Sequence, residues 1–268
     1  MSQGYIKEIF SSFQGEGASV EGSCYGLRQI FIRFAGCPLS QGLLGTKGCR
    51  WCDSPEAKAN QPKQCLIEEK AGLQSFGGIN NPVTVENILE AIRNLTTNDL
   101  HSISFTGGEP LHQPEFLEKL LILLKKENYK IYLETAYTED IDFLKRIIHL
   151  IDFACVDVKD RSAEASLNWE MLVEREIKMC EILKNNAKVF AKTVISKSSR
   201  KEDFEVIAKL CGRIGVPIVI QIVTPPAKSN ILQPTWEQII ELSGIASEYL
   251  PPDKIGISVQ MHKFLDIL

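Results

Sequence analysis

The chain lacks any long apolar run, and its first residues, MSQGYIKEIFSSFQGEG, contain nothing typical of a signal peptide or a membrane span. Extended basic runs are also missing, and the formal net charge of the 268 residues is −4. Tight binding of nucleic acid needs clustered positive charge, which this sequence does not offer. We therefore expect a cytoplasmic protein that binds neither membranes nor nucleic acid.

Domain linkers and short-period repeats are absent too, which favours a single domain over residues 1–268. From about residue 100 onward, β-branched or aromatic runs such as KIYLETA and PIVIQIV alternate with longer helical patterns. This alternation predicts βαβ units and a parallel sheet, either an open barrel or a doubly wound sheet. Pro114 is expected in the first turn of one helix, and Ser199 with Glu202 as the capping box of another.

Residues 55–82 break the alternation because they are rich in Gly, Pro, Asn and Gln. We expect them to form an irregular excursion over one face of the fold, with one short strand around Gln64–Ile67. In parallel α/β folds, the loops at the carboxyl ends of the strands carry the chemistry.

Eight cysteines need a physical reason in a chain expected in the reducing cytosol, where structural disulfides are rare. Cys155 lies in the apolar run IDFACVDV, and Cys180 and Cys211 lie in amphipathic helical patterns, so these three are expected in the core. The remaining five lie in the N-terminal quarter: Cys24, Cys37, Cys49, Cys52 and Cys65.

Three of these cysteines have the spacing C-x11-C-x2-C, since Cys37 follows the strand pattern QIFIRFAG and Cys49 and Cys52 follow as C-R-W-C. A C-x2-C pair lets two thiolates reach one metal or cluster from a single turn. A zinc site needs a fourth ligand, which Cys24 or Cys65 would have to supply, and a thioredoxin-like redox pair leaves Cys37 idle. We favour a 4Fe–4S cluster with three protein thiolates, because that arrangement leaves one iron open for a substrate or cofactor.

A second motif, Thr106-Gly107-Gly108-Glu109-Pro110, follows the strand pattern HSISF. Its two glycines let the backbone approach a ligand closely, and Glu109 can accept a hydrogen bond from an ammonium group. Alone, the motif also fits an ordinary βα turn. Together with the cysteines it resembles the radical S-adenosylmethionine (SAM) superfamily, which implies an α/β fold of the partial (βα)6, TIM-like barrel type.

Four further segments narrow this resemblance: EIFSSFQGEG at 8–17, RFAGC at 33–37, WCDS at 51–54 and QMHK at 260–263. Together they resemble the 7-carboxy-7-deazaguanine synthase family over nearly the full length. Some members of that family also have an enlarged gap after the first cysteine. The family converts 6-carboxy-5,6,7,8-tetrahydropterin to 7-carboxy-7-deazaguanine with loss of ammonia, in the 7-deazapurine pathway leading to queuosine or archaeosine. It regenerates SAM, and Mg²⁺ assists.

The resemblance implies a role for each matching position. The cluster would be held by Cys37, Cys49 and Cys52, and Mg²⁺ by Ser54, which stands where the family has Thr. The SAM contacts would be Trp51, Gly107, Gly108, Glu109, Glu134, Thr135, Asp157 and Lys159. The pterin contacts would be Gln14, Gly15, Glu16, Arg33, Thr106, Gln260 and His262. Arg33 offers a bidentate fork for a carboxylate, although an ordinary ion pair would also explain it.

One segment departs from the family, since Asp157-Val158-Lys159 stands where Ser-Pro-Lys is usual. Asp-x-Lys resembles radical SAM enzymes that generate a glycyl radical on a partner protein, which is the alternative function. A zinc-binding interaction module is a third hypothesis. Analogy with the family also implies a homodimer and an external electron donor of the flavodoxin or ferredoxin type.

Overall fold

The computed structural model describes residues 2–226, 228–265 and 267. The strands of this part of the chain are β1 (Gln3–Gly4), β2 (Ile6–Phe13), β3 (Arg28–Phe34), β4 (Gln64–Glu68), β5 (Phe76–Asn80), β6 (Val83–Thr84), β7 (Ser102–Gly107), β8 (Ile131–Thr135), β9 (Phe153–Asp157), β10 (Lys188–Ile195), β11 (Ile218–Ile222) and β12 (Ile255–Ser258). The α-helices are α1 (Val85–Leu95), α2 (Pro114–Lys126), α3 (Ile141–Ile147), α4 (Trp169–Leu183), α5 (Lys201–Ile214), α6 (Trp236–Ser247) and α7 (Met261–Phe264).

Ten of the strands form one sheet in the order β12-β11-β10-β9-β8-β7-β3-β2-β4-β5. The seven strands from β12 to β3 are parallel to their neighbours, whereas β2 runs antiparallel to β3. Helices α2 to α6 connect successive parallel strands from β7 to β12. The sheet stays open, because β12 and β5 occupy its two edges and do not pair with each other in the described residues. The predicted α/β fold with an incomplete barrel is therefore confirmed.

The parallel strands are apolar because both of their faces are covered. All five residues of β11 are Ile, Val or Gln, and its first four are buried. A single large cluster of buried aliphatic and aromatic side chains joins the strands to the helices packed outside them. Cys155, Cys180 and Cys211 are buried, as predicted.

The segment 55–82 has more regular structure than expected. The short strand predicted near Gln64–Ile67 is β4, and it pairs antiparallel with β5 to form a hairpin at the edge of the sheet. A two-stranded sheet of β1 and β6 follows. The excursion thus extends the sheet instead of lying as a loop over one face.

The two helix starts predicted from sequence have different outcomes. Pro114 is the first residue of α2, as expected. The capping box of α5 was predicted wrongly, because its N-cap is Arg200 and no side chain caps it. The hydroxyl of Ser199 instead donates to Asp160 Oδ1 at 2.8 Å. None of the helices in the described part of the chain combines the length and apolar character of a membrane span.

Candidate active site

A cavity of about 430 Å³ opens at the carboxyl ends of the parallel strands. The segments that follow β3, β7, β8 and β9 line it, together with side chains of β10 and β11. The N-terminal loop after β2 and the segment around α7 close it from the other side. Strand ends converge in this way in open α/β barrels, so this is where the fold places its chemistry.

Cys37, Cys49 and Cys52 line one end of this cavity, which we call the cysteine end. Burial, with smaller contributions from the neighbouring sulfur atoms of Cys37 and Cys52, raises the pKa of the Cys49 thiol to about 11. The peptide N–H of Cys52 donates to the carbonyl of Cys49 at 3.4 Å, so the C-x2-C pair forms a tight turn. The three thiols therefore face one buried volume from one loop.

The Thr106–Pro110 turn packs directly on the loop that begins the cysteine end. A Cβ atom on Gly108 would lie 2.1 Å from the carbonyl oxygen of Gly36, so only glycine fits there. Gly36 itself has a φ of 87° immediately before Cys37. Close backbone packing thus fixes the first cysteine relative to the second motif.

Glu109 is buried, and the protein itself supplies partners to its carboxylate. Oε1 accepts hydrogen bonds from the Leu111 amide at 3.1 Å and the Thr135 hydroxyl at 2.7 Å. Oε2 accepts from the amides of Ala136 and Tyr137 at 2.9 and 3.1 Å. Burial raises the pKa of Glu109, although these donors oppose the rise. Its carboxylate therefore ties the turn after β7 to the loop after β8.

The cavity wall also carries a group of charged and amide side chains, which we call the carboxylate belt: Glu16, Asp53, Glu134, Lys192 and Gln260. Lys192 Nζ contacts Glu16 Oε2, and it lies 2.7 Å from Glu134 Oε1. Gln260 Nε2 donates to Glu16 Oε1 at 2.6 Å and to Asp53 Oδ2 at 3.0 Å. The belt therefore joins β8 and β10 to the N-terminal loop, the cysteine loop and the C-terminal segment.

Burial and neighbouring charge set the ionisation of the belt. Burial raises the pKa of Glu16 to about 7, against the opposing charge of Lys192. Burial also disfavours the charged form of Asp53, but Lys192 and Arg33 outweigh it and lower the pKa of Asp53. Nearby carboxylates raise the pKa of Lys192 well above its usual value despite its burial. The ammonium group is thus a fixed positive charge at neutral pH.

Arg33 continues the polar network beside the belt. Its Nε donates to Glu8 Oε1 at 2.7 Å, and its Nη1 donates to the Ser54 hydroxyl at 2.8 Å. The Ser54 hydroxyl in turn lies 3.3 Å from Asp53 Oδ1. The guanidinium fork predicted to bind a ligand carboxylate is therefore already oriented by two side chains of the protein.

The C-terminal segment lies on the N-terminal loop as a strap, which we define as residues 259–265. The Met261 amide donates to the Gly15 carbonyl at 2.8 Å. A Cβ atom on Gly15 would lie 2.5 Å from His262 Nδ1, so the strap leaves no space for a side chain there. Burial lowers the pKa of His262 to about 4, which keeps the imidazole neutral at physiological pH.

Comparisons with known proteins agree with this geometry. Residues 34–226 match the radical SAM superfamily. The chain is 37% identical to the 7-carboxy-7-deazaguanine synthase of Thermococcus kodakarensis, over 98% of either chain. It is 34% identical to the enzyme of that name from Methanocaldococcus jannaschii, over 98% of this chain and 100% of the relative. This chain belongs to the 7-carboxy-7-deazaguanine synthase family of the radical SAM superfamily.

A solved structure supports the fold independently. A radical SAM methyltransferase from Sphaerobacter thermophilus superposes with a TM-score of 0.57 at 14% identity. The match covers 87% of this chain and 66% of the methyltransferase. At that identity the likeness establishes a shared fold alone.

The cysteine end fits the 4Fe–4S cluster that radical SAM family membership implies. No three His, Cys, Asp or Glu side chains within residues 2–226, 228–265 and 267 converge on one point as ligands of a single metal ion. A cubane does not require such convergence, because each thiolate binds a different iron. The donor set, three half-buried thiols from one loop, is the set that a cluster with one open iron takes.

The cavity also fits SAM, because two of its lining side chains carry buried acceptors that lack a donor. Asp157 Oδ1 and Gln221 Oε1 have no hydrogen-bond partner among the described residues, and both side chains line the cavity. A buried acceptor without a donor is costly, so a ligand with N–H or O–H groups would stabilise both. SAM offers such groups on its ammonium, ribose and adenine.

Every site residue nominated from the sequence lines this one cavity. The SAM candidates there are Trp51, Gly107, Gly108, Glu109, Glu134, Thr135, Asp157 and Lys159. The pterin candidates there are Gln14, Gly15, Glu16, Arg33, Thr106, Gln260 and His262. Ser54 is also present, beside Arg33 and Asp53. The structure brings these residues together, and their individual roles remain predictions.

Sequence reasoning missed Lys192 and gave no role to Asp53. A lone lysine inside the apolar strand pattern KVFAKTVIS was the available signal, because a buried charge needs a partner. The partners themselves could not be found in the sequence, since Glu16, Glu134 and Lys192 lie far apart along it. Asp53 lies between Cys52 and Ser54, and only those two neighbours were assigned roles from the sequence.

Proposed function

We propose that this protein converts 6-carboxy-5,6,7,8-tetrahydropterin to 7-carboxy-7-deazaguanine with loss of ammonia, within 7-deazapurine biosynthesis. The observation that supports it most strongly is the full-length similarity to synthases of that name. The same cavity also combines the three cluster cysteines with a belt of donors and acceptors suited to a pterin.

The cysteine end would hold the cofactors. Cys37, Cys49 and Cys52 would bind the cluster, and the turn at Gly107 and Gly108 would present backbone groups to SAM. When bound, the cluster and SAM supply the one-electron chemistry that abstracts a hydrogen atom from the substrate. Because Glu109 already accepts four hydrogen bonds from the protein, we assign it the task of fixing this turn as well as bordering SAM.

The carboxylate belt would hold the substrate. Glu16 and Gln14 offer acceptors and donors to the edge of the pterin ring, and Gln14 Nε2 is itself oriented by Gln29 at 3.2 Å. Arg33, held by Glu8 and Ser54, would pair with the substrate carboxylate. Ser54 would contribute its hydroxyl to Mg²⁺, a cation that prefers oxygen ligands.

The strap would complete the pocket and exclude water. Gln260 orients both Glu16 and Asp53, and His262 stays neutral beside them. A neutral imidazole can both donate and accept a hydrogen bond, which suits a ring with both kinds of polar edge. The proposal further includes a cytoplasmic location, a homodimer and an electron donor of the flavodoxin or ferredoxin type.

Activation of a partner protein is the alternative that Asp157 and Lys159 raised. In the structure these two side chains form an ion pair with each other at 2.8 Å. The full-length similarity to 7-carboxy-7-deazaguanine synthases favours the small-molecule reaction.

The test is an anaerobic assay of the reconstituted protein with SAM, a reductant and the carboxy-tetrahydropterin. We expect 7-carboxy-7-deazaguanine and ammonia in equal amounts, with SAM not consumed. Iron, sulfide and zinc are measured on the same sample. Cleavage of SAM without deazaguanine would show that the substrate is wrong, and stoichiometric zinc without iron would overturn the cluster as well.

A further inference from the structure

Lys192 is the one strongly buried ammonium group in the middle of β10, with a side-chain exposure of only 3%. Most neighbours along this strand are buried apolar residues. Its Nζ contacts carboxylates from three different parts of the chain: Glu16 after β2, Glu134 at the end of β8 and Asp157 at the end of β9. No other side chain of the cavity joins so many elements in the described residues.

Two of the hydrogen-bond donors of Lys192 are taken by carboxylates of the protein. A lysine ammonium has three N–H groups. Two of them donate to Glu16 Oε2 and to Glu134 Oε1 at 2.7 Å. The ammonium group also lies 3.5 Å from Asp157 Oδ2, which is paired with Lys159 at 2.8 Å. Lys192 is therefore expected to act by positioning these carboxylates.

Under the proposed function, the two nearer carboxylates, Glu16 and Glu134, contact different ligands. Glu16 is proposed to border the pterin, and its second oxygen accepts from Gln260. Glu134 is proposed to border SAM, and its second oxygen accepts from Thr106 at 2.7 Å. One cation therefore connects the substrate side of the cavity to the cofactor side.

Without that cation, Glu16 and Glu134 would face each other as buried like charges. Such a pair either takes up a proton or moves apart. Removing one partner from a buried ion pair also leaves a charge without compensation, which is strongly unfavourable. In either case Glu16 loses the ammonium donor that orients its carboxylate.

We infer that Lys192 is a positioning residue that holds Glu16 and Glu134 at a fixed separation, and so sets where the substrate lies relative to SAM. This inference rests on the proposed function for the identity of the two ligands. The ion-pair hub, which we define as Lys192 with Glu16 and Glu134, does not depend on the identity of the ligands.

The hub is tested by thermal stability without substrate. Lys192→Met keeps the length of the side chain and removes the charge, and we expect the melting temperature to fall by roughly 10 °C. Glu16→Gln should lower the melting temperature of the wild-type protein but raise that of Lys192→Met, because it removes one uncompensated carboxylate. Equal effects of Glu16→Gln in both backgrounds would overturn the hub.

The positioning role is tested by substrate affinity in the holoenzyme, with SAM present and reductant absent so that no turnover occurs. We expect Lys192→Met to weaken binding of the carboxy-tetrahydropterin at least tenfold, and Lys192→Arg to keep most of the affinity. In a Glu16→Gln background the further loss from Lys192→Met should be small, because Lys192 acts through Glu16. Additive losses would mean that Lys192 acts on the substrate directly, and unchanged affinity would mean that it does not position the site.

With reductant added, the same variants give a second readout. Misplaced substrate should lower the ratio of product formed to SAM cleaved in Lys192→Met. A purely structural defect would lower product formation and SAM cleavage in proportion, so the ratio would not change. If Lys192→Met does not fold, the charge-balanced Lys192→Met/Glu16→Gln protein is compared with Glu16→Gln alone. A wild-type protein that does not bind the pterin would overturn the proposed function, and the stability cycle would still decide whether the hub exists.

Discussion

The cysteine end and the carboxylate belt differ in whether the protein supplies partners to its own side chains. At the cysteine end, three thiols face a shared volume and make no disulfide with each other. In the carboxylate belt, Lys192, Glu16, Glu134 and Gln260 bind one another through short hydrogen bonds. The thiols of the cysteine end are available as ligands of a cofactor, whereas the side chains of the carboxylate belt already hydrogen-bond one another.

This difference separates residues that bind a cofactor from residues that maintain the structure of the site. A side chain whose partner is a cofactor can be changed at little cost to folding. A side chain in the belt supports its neighbours, so its loss affects stability and binding together. Variants at the cysteine end and in the belt should therefore fail in different ways.

The largest expected effect comes from Cys49→Ala at the cysteine end. A cluster with only two protein thiolates should be lost, so iron, sulfide and visible absorption after anaerobic reconstitution should fall to background, and product formation with them. The unfolding free energy of the cluster-free protein should change by less than about 1 kcal/mol, since the thiol makes no side-chain hydrogen bond in the described structure.

Cys24→Ala is the matched control for that variant. Cys24 packs with the apolar cluster around Tyr132 and Phe190 and does not line the cavity. It should keep its full iron content and activity. Loss of iron from Cys24→Ala, or retention of the cluster by Cys49→Ala, would show that the ligand set is different.

An intermediate effect is expected at the contact between the cysteine loop and the turn after β7. Gly108→Ala places a methyl group 2.1 Å from the Gly36 carbonyl oxygen and 2.9 Å from that of Ala57. Because these neighbours are backbone atoms, we expect a loss of about 3 kcal/mol in unfolding free energy, at the upper end of overpacking costs. The shift of Gly36 should also weaken cluster incorporation.

Gly244→Ala supplies the comparison for Gly108→Ala. Gly244 lies inside α6, and a Cβ atom there meets nothing within 4 Å. We expect this variant to be more stable by about 0.5–1 kcal/mol, because alanine favours a helix. Denaturant unfolding of the cluster-free proteins measures both changes, and equal behaviour of the two variants would contradict the close contact at Gly108.

The sequence predicted the alternating strands, the incomplete barrel and the residues around the cavity, because apolar periodicity and short motifs are local signals. It failed where the cause is a tertiary contact. Ser199 had the spacing of a helix cap, yet its hydroxyl bonds Asp160, a partner 39 positions away. Glu109 matched a ligand-binding motif, but three of its four donors come from the end of β8 and the loop after it. Lys192 was visible only as a charge inside an apolar strand, because its carboxylate partners meet it through the fold.

The smallest expected effect concerns the strap that covers the belt. The pKa of His262 falls from its ordinary value of 6.5 to about 4 in the folded protein, because burial disfavours the charged imidazole. A lowered histidine pKa means that the native strap binds fewer protons than the open one. Its stabilising contribution is complete above pH 6.5 and is lost as the pH falls toward 4. Since His262 is partly exposed, we expect a loss of about 1 kcal/mol by pH 5.

Hydrogen exchange of the Met261 amide measures this change, because that amide donates to the Gly15 carbonyl only while the strap is closed. Its protection is expressed relative to the amide of Ile220, a buried residue of β11, so that the pH dependence of the chemical exchange step cancels. The relative protection of Met261 should fall about fivefold between pH 7 and pH 5. In His262→Gln, which has no titrating ring, this fall should be absent. A loss of protection on acidification that persists in His262→Gln would show that His262 is not the responsible group. Glu16 could not account for such a loss, because its raised pKa makes protonation favour the folded protein as the pH falls.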